Sequence, residues 1–291
     1  MKPHFHKVPI QMRSSFSVRH DVQPNFGNVW HYHPELELHY VVKGEGTRLV
    51  GDHVGSFHAG ELLLLGENLP HTWHCQEDYF EKYAENYVEA IVVHFSSSCL
   101  GHEFLNLPET NALMRLFEKA KRGMQIFGTS REQLKQLMMQ AVMAEDLRKV
   151  ILLLEILEIL TKTQEYRNIS TMFPFLKATE GDMVRMNSIY NYTLNNFTKD
   201  ISLKEIASVS NLTMTSFCRY FKIMTKKTYA DFLNEVRINH ACKLLSENTL
   251  QIDEICYTCG FNNLSNFYRQ FKRVTRYTPK DFRRRYNIYL S

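Results

Sequence analysis

Three histidines and a glutamate carry the first recognisable chemistry. The stretch HYHPELELHYVVKGEG begins at His31, and NLPHTWH further along brings His71. In an extended chain alternate residues share a side, so His31, His33 and Glu37 face one way and Trp30, Tyr32, Leu36, Leu38 and Tyr40 the other. Three imidazoles and one carboxylate are a complete facial ligand set for Fe, Mn, Ni or Zn. The same residues also suit a pocket, where they would bond an organic ligand or one another, or a polar face turned to solvent. Alternation alone does not say which side is inside. Trp30, Tyr32 and Trp73 have flat faces that stack on a sugar ring, although aromatics at this spacing serve a core equally well.

A second chemistry is written twice near the end of the chain. ISLKEIASVSNLTMTSFCRYFK ends at Lys222, and QIDEICYTCGFNNLSNFYRQFK ends at Lys272. Ile206 answers to Ile255, Phe217 to Phe267, Arg219 to Arg269 and Phe221 to Phe271. Each copy reads as a short helix, a tight turn and a second helix, the outline of a helix-turn-helix. Ser202 and Glu205 form a capping box, Thr213 and Asn263 cap the second helices, and Gly260 supplies a left-handed turn. On a helical wheel Met214, Phe217, Cys218, Phe221 and Met224 are expected inside, as are Leu264, Phe267, Tyr268, Phe271 and Val274. Thr215, Ser216, Arg219 and Lys222 then point out, as do Ser265, Asn266, Arg269, Lys272 and Arg273. Arg reaches guanine bidentately, Asn reaches adenine, and Ser or Thr serves base edges or phosphates. Lys222, Lys272 and Arg273 suit phosphates, which position a protein without specifying sequence. For one such helix a solvated face explains the pattern as well; for two with the same polar arrangement it does not.

The elements that must position these residues follow from period. Residues 15–95 alternate apolar and polar positions and are punctuated by glycines, which predicts short strands in a sandwich or barrel. From about Asn111 the pattern is helical. The helix from about Glu145 to Thr163 is apolar nearly all round, with Glu155, Glu158 and Lys162 marking a wet edge. One side is expected on its own domain and the other on a second subunit. Residues 164–182 read as a linker. Tyr229 to Ser246 reads as one long helix joining the two repeats, and Thr278–Pro279 starts a last helix carrying Arg283, Arg284 and Arg285. The fold class is therefore α+β: a barrel at 15–95, a helical dimerisation segment at 96–163, the linker at 164–182, and an all-α domain at 183–291.

Composition agrees with a division of labour. From Met183 onward 17 Lys+Arg face 8 Asp+Glu, a net +9, while the rest of the chain carries 18 against 23, a net −5. A basic module for a polyanion beside an acidic module is the reading. Six scattered cysteines, Cys75, Cys99, Cys218, Cys242, Cys256 and Cys259, form no disulfide framework and suggest a reducing cytoplasm. Cys256 and Cys259 make a CxxC without a second pair at zinc-site spacing, so core thiols are expected. MKPHFHKVPI has no apolar run and is no signal peptide. VILLLEILEIL is too short and too charged to span a bilayer.

The paired units, the Gly260–Phe261 pair and the ending YTPKDFRRRY from Tyr277 to Tyr286 closely resemble the AraC/XylS family of bacterial transcription regulators. The resemblance covers about a hundred residues. It implies a double helix-turn-helix domain that binds double-stranded promoter DNA and usually activates transcription through RNA polymerase. It also implies base contacts from Thr215, Ser216 and Arg219 and from Ser265, Asn266 and Arg269, with Thr215 small where some relatives carry a large side chain. The first region resembles the cupin barrel, with His31, His33, Glu37 and Gly44 in its first motif and His71 as the fourth ligand. Cys75 stands where that pattern often has Asn. Cupins in this regulator family look like sensors of sugars or other small metabolites. The expectation is thus a cytoplasmic homodimeric activator, not an enzyme, whose barrel binds an effector with Trp30, His31, Tyr32, His33, Glu37, His71 and Trp73, with or without a divalent metal. The alternatives are a metal-dependent cupin enzyme fused to a DNA-binding domain, for which no general acid or base is assignable, and a constitutive architectural DNA binder with an inert barrel.

Overall fold

A computed structural model describes residues 14–27, 29–75, 87–171 and 180–290. The amino-terminal stretch read for a targeting signal and the middle of the expected linker lie outside those residues. The chain divides into two compact units whose main boundary in sequence lies between Met183 and Val184, with Val54–Ser56 grouped with the second unit.

The first unit is built from β1 (Phe16–Gln23), β2 (Leu36–Lys43), β3 (Gly46–Val50), β4 (His53–Phe57), β5 (Leu62–Leu65), β6 (His71–Cys75), β7 (Val88–Phe95), β8 (Met124–Ile126) and β9 (Tyr166–Asn168). Six strands make one antiparallel sheet in the order β1-β7-β2-β5-β8-β9, and β4-β3-β6 make a second. The first six residues of β2 are all buried, because both of its faces are covered. Leu36, Leu38 and Tyr40 join the core beneath the helices α2 (Asn111–Ala120), α3 (Gly128–Met143) and α4 (Asp146–Lys162). Val41 faces the other way, into a core with Val50, Phe57, Trp73 and Cys75 of the second sheet. Glu37 and His39 share that inward parity with Val41. A short α1 (His102–Leu105) precedes α2.

The helical stretch expected from Asn111 is interrupted. Met124–Ile126 pairs with β5, and Tyr166–Asn168, inside the segment read as linker, pairs with β8. Three-residue strands are too short for a period to show in sequence, and only their pairing creates them. α4 places Leu152, Leu153, Ile156, Leu157 and Leu160 inside, while Leu147, Ile151 and Leu154 stay exposed.

The second unit holds α5 (Glu180–Asn196), α6 (Leu203–Val209), α7 (Met214–Thr225), α8 (Tyr229–Glu247), α9 (Ile252–Thr258), α10 (Leu264–Thr275) and α11 (Pro279–Leu290). The repeat in sequence becomes a repeat in structure: α6–α7 and α9–α10, joined by the single helix α8. Phe217 and Phe221 pack on Tyr229 and Phe232 of α8. Phe267 and Phe271 enter the second core with Ile238, Ala241 and Leu245 of the same helix. Gly260, at φ +79, sits where a Cβ would lie 2.7 Å from the Phe197 carbonyl, so the turn into α10 requires glycine. The first copy uses Asn211 at φ +54, a residue that tolerates the left-handed region. Cys256 and Cys259 are buried core thiols, and burial pushes both thiols up, away from the thiolate that metal or redox chemistry needs.

Candidate functional site

Glu37 on β2, His71 at the start of β6, and His31 and His33 on the segment leading into β2 come together. His31 and His71 form an isolated bridge, with the His31 N–H donating to the His71 carbonyl at 3.0 Å and the reverse bond at 2.9 Å. That bridge carries a residue forty positions away to the motif on β2. The ligand atoms of His31, His33, Glu37 and His71 all lie within 4.8 Å of one another. Ligands held at about 2.0–2.2 Å from one ion stand at most about 4.0–4.4 Å apart, so the cluster must contract to take a metal. Each imidazole is oriented through its Nδ1: His31 to the Val29 carbonyl at 2.8 Å, His33 to the Glu35 carbonyl at 3.0 Å and His71 to the Leu69 carbonyl at 2.7 Å. A carbonyl accepts only, so Nδ1 carries the proton and Nε2 is turned to the centre, the support that metal-binding histidines use. The residues present therefore fit a divalent metal.

The buried Glu37 carboxylate is the hub. Its Oε2 accepts from His33 Nε2 at 3.0 Å and His94 Nε2 at 2.8 Å, with His71 Nε2 at 3.4 Å, and its Oε1 accepts from His39 Nδ1 at 2.9 Å. Burial pushes its pKa up, but the charges of His71 and His94 and the bonds from His33 and His39 outweigh burial and hold it well below the usual range. Burial acts the other way on His33 and lowers it, yet the bond and charge of Glu37 raise it overall; both of its nitrogens face acceptors, as an imidazolium requires. Binding a metal through His33 Nε2 would release that proton. His31 lies well below 6.5 through burial and the nearby His71, His94 is lowered by burial, and burial takes His74 to about 4.

Two members of this cluster were not legible as such. His39 has the parity of Glu37, the one signal the sequence offers for it, and it stacks on Trp73 with ring centroids 4.0 Å apart. His94 becomes a partner only through the β2–β7 register, which sets it opposite Glu37. Of the predicted aromatics, Trp73 lies in the interior beside His71 and His39, Trp30 is fully buried, and Tyr32 is half-buried. Arg48 is a further interior residue, its Nε donating to both oxygens of buried Glu61 at 2.9 and 3.1 Å. Arg48 Nη1, Trp73 Nε1 and His39 Nε2 are buried without a hydrogen-bond partner among the described residues.

The outward set of the second unit is nearly as expected. Thr213 caps α7 by accepting from the Ser216 N–H at 3.3 Å, and Asn263 caps α10 by accepting from the Asn266 N–H at 2.8 Å. Thr215, Arg219, Lys222, Ser265, Arg269 and Lys272 are exposed, and Ser216 and Asn266 half-exposed. Arg269 Nη2 donates to Asn266 Oδ1 at 2.9 Å, which sets the guanidinium over the same face. Arg273 is exposed as well and forms an ion pair with Asp231 on α8. Four residues expected inside, Met214, Cys218, Leu264 and Tyr268, are exposed. They occupy equivalent positions fifty residues apart, so both helices are rotated alike, anchored by their two phenylalanines, and each outer face is wider than the wheel suggested. Arg283 donates to the Leu250 carbonyl at 2.7 Å and serves the fold.

The histidine pKa directions fix the pH response of the metal-free protein. His31, His74 and His94 take up a proton near 6.5 when unfolded but only at lower pH when folded, so folding weakens as pH falls from 6.5 toward about 4. His33 opposes this, since its contribution is full below 6.5 and is lost as pH rises through its raised value. The Glu37 contribution is present above 4.5 and is lost as pH falls through its depressed value. His74, which burial takes to about 4, stays neutral in the folded state across this window and His31 and His94 act in the same direction, so the thermal midpoint of the first unit is expected to be lower at pH 5 than at pH 7. A calorimetric scan showing the opposite order would contradict this assignment of charge.

Comparison with known proteins agrees with both halves. A helix-turn-helix domain family matches residues 206–285, and a cupin domain family matches residues 18–79. An uncharacterized HTH-type transcriptional regulator in the cgkA 5' region of Pseudoalteromonas carrageenovora is 33% identical over 116 residues, covering 38% of this chain and 69% of that protein. The HTH-type transcriptional activator RhaS of Klebsiella pneumoniae is 29% identical over 107 residues, a match spanning 37% of this chain and only 38% of that activator. Among solved structures, ToxT from Vibrio cholerae covers 93% of this chain and 98% of its own at 12% identity, with a TM-score of 0.35. The chain belongs to the AraC family of helix-turn-helix transcription regulators and carries a cupin domain ahead of its DNA-binding domain.

Proposed function

We propose that this regulator is a dimeric, cytoplasmic activator of transcription whose barrel binds a small effector at a metal centre held by His31, His33, Glu37 and His71. The observation that carries the proposal is the convergence of three oriented imidazole Nε2 atoms and one carboxylate oxygen inside the barrel. A bound divalent ion would supply a Lewis-acidic contact for an oxygen-bearing ligand. His39 and His94 would hold the Glu37 carboxylate in place, and Arg48 Nη1, Trp73 Nε1 and His39 Nε2 would receive a polar molecule such as a sugar or another oxygen-rich metabolite. The relatives that match are transcription regulators, which favours sensing over turnover. No helix among the described residues is long and apolar enough to cross a membrane.

Leu147, Ile151 and Leu154 lie at i, i+4 and i+7 on α4 and are 70%, 39% and 36% exposed. Such a stripe suits a second copy of the chain. The DNA partner would be a promoter read by α7 and α10, with RNA polymerase as the downstream partner. Effector binding would shift the population between two arrangements only to the extent that it prefers one of them.

Three measurements check these assignments. Protein purified without chelator should hold about one metal equivalent and the His71→Ala variant far less; no metal in the parent, even after soaking with Fe, Mn, Ni and Zn, would return the four residues to lining a pocket. Arg269→Ala should relax specificity at one base position at a cost of about 1–3 kcal/mol, and unchanged binding would count against the assigned face. Sedimentation at micromolar concentration should show a dimer that Ile151→Glu converts to a monomer, whereas a monomeric parent removes the dimer.

A further inference from the structure

The turn between β3 and β4 touches two places at once. On one side the Gly51 N–H donates to the Pro70 carbonyl at 2.8 Å, immediately before His71 and one residue after Leu69, whose carbonyl orients the His71 ring. On the other side Asp52, buried inside the first unit, gathers the chain beyond β9. Its Oδ1 accepts from Ser170 Oγ at 2.6 Å and from the Thr171 N–H at 3.0 Å, and its Oδ2 accepts from Thr171 Oγ. Residues 169–171 are further tied down by the Ile169 N–H to the Gly123 carbonyl at 3.0 Å and the Ser170 N–H to the Arg122 carbonyl at 2.8 Å. Gly51 has φ +56, and a Cβ there would lie 2.4 Å from Ser170 Oγ and 3.3 Å from Leu69 Cδ1. The turn is thus wedged between the support of a candidate ligand and the stretch of chain that leads toward the DNA-binding unit.

We propose that the Gly51–Asp52 turn is a latch through which occupancy of the histidine site holds residues 169–171. It rests on reading that site as a metal centre. A metal on His71 Nε2 orders the ring, the Nδ1 bond then orders Leu69, and Pro70 carries that order to Gly51. Asp52 hands it on as three hydrogen bonds to Ser170 and Thr171. Without the metal the same bonds form, but the Leu69–His71 support moves more freely and the latch opens more often. Asp52 is a positioning residue here and touches no ligand.

Zinc is the probe, added to the full-length protein, with zinc stoichiometry and amide hydrogen exchange at Ser170 and Thr171 read on the same samples. Zinc should slow exchange of both amides in the parent by at least about fivefold, the low end for coupling between sites. Asp52→Ala should still bind zinc in the same stoichiometry but lose the slowing, while the milder, surface-lying Thr171→Ala, which removes only the hydroxyl bond, should bind zinc alike and keep part of it. By reciprocity their zinc affinity should fall by no more than the same factor. Zinc that binds the parent without changing exchange at these two amides overturns the latch and leaves the metal centre standing. Slowing that survives in Asp52→Ala also overturns it, since the order then travels by another route. Absence of bound zinc in the parent removes the metal centre and the latch with it.

Discussion

The Glu37 carboxylate inside the barrel is the constraint on which the first unit depends. An ionised carboxylate taken from water without partners costs many kcal/mol, and removing one partner of a buried charge costs about 3–5 kcal/mol. Here the partners come from several strands: His33 and His39 flank β2 or lie on it, His71 opens β6, and His94 lies on β7. A one-residue slip of β7 would turn Val93 or Phe95 inward in place of His94 and leave the carboxylate short of a donor. Register and electrostatics are one requirement. The opposite face of β2 meets a separate requirement, because Leu36, Leu38 and Tyr40 must bury against α2, α3 and α4.

That double burial explains why a polar cluster can persist in an apolar interior. The outer face of β2 and the helices above it supply apolar burial, so the inner face is free to hold charged and polar groups whose bonds satisfy one another. Arg48 with Glu61 repeats the device, with Gln125 Nε2 donating to the same glutamate at 2.9 Å. A cluster of this kind fixes a single geometry only when nearly all its members are satisfied. Arg48 Nη1, Trp73 Nε1 and His39 Nε2 are among the interior atoms that find no hydrogen-bond partner among the described residues.

The DNA-binding unit is built on a different principle. Its decisive contacts are local and repeated: a cap, two phenylalanines four residues apart on the inner face, and a left-handed residue that ends the helix at Lys226 or Arg276. Both copies bury their phenylalanines on one connector, α8, so the two reading helices inherit their orientation from a single rigid element. The matched exposure of Met214 with Leu264 and of Cys218 with Tyr268 shows how closely the copies agree. It also means that the outer face of each of these two helices mixes apolar side chains with an arginine and a lysine, Arg219 and Lys222 in one and Arg269 and Lys272 in the other.

By itself the sequence determined what depends on near neighbours. The helix-turn-helix pair was legible because its caps, turns and apolar period lie within about twenty residues, and helical period states which side chains share a face. Strand parity in the same way put His31, His33 and Glu37 together and set Trp30 and Leu36 against them. Parity did not name the inside, and the wheel misjudged Met214, Cys218, Leu264 and Tyr268, because a period assigns faces without stating which neighbour covers them. The tertiary structure alone decided which faces meet: the bridge that delivers His71, the register that sets His94 opposite Glu37, the three-residue strands at Met124–Ile126 and Tyr166–Asn168, and the Asp52 bonds to Ser170 and Thr171 across more than a hundred residues. Each is a pairing between distant segments, and its energy exists only once the chain has closed on itself.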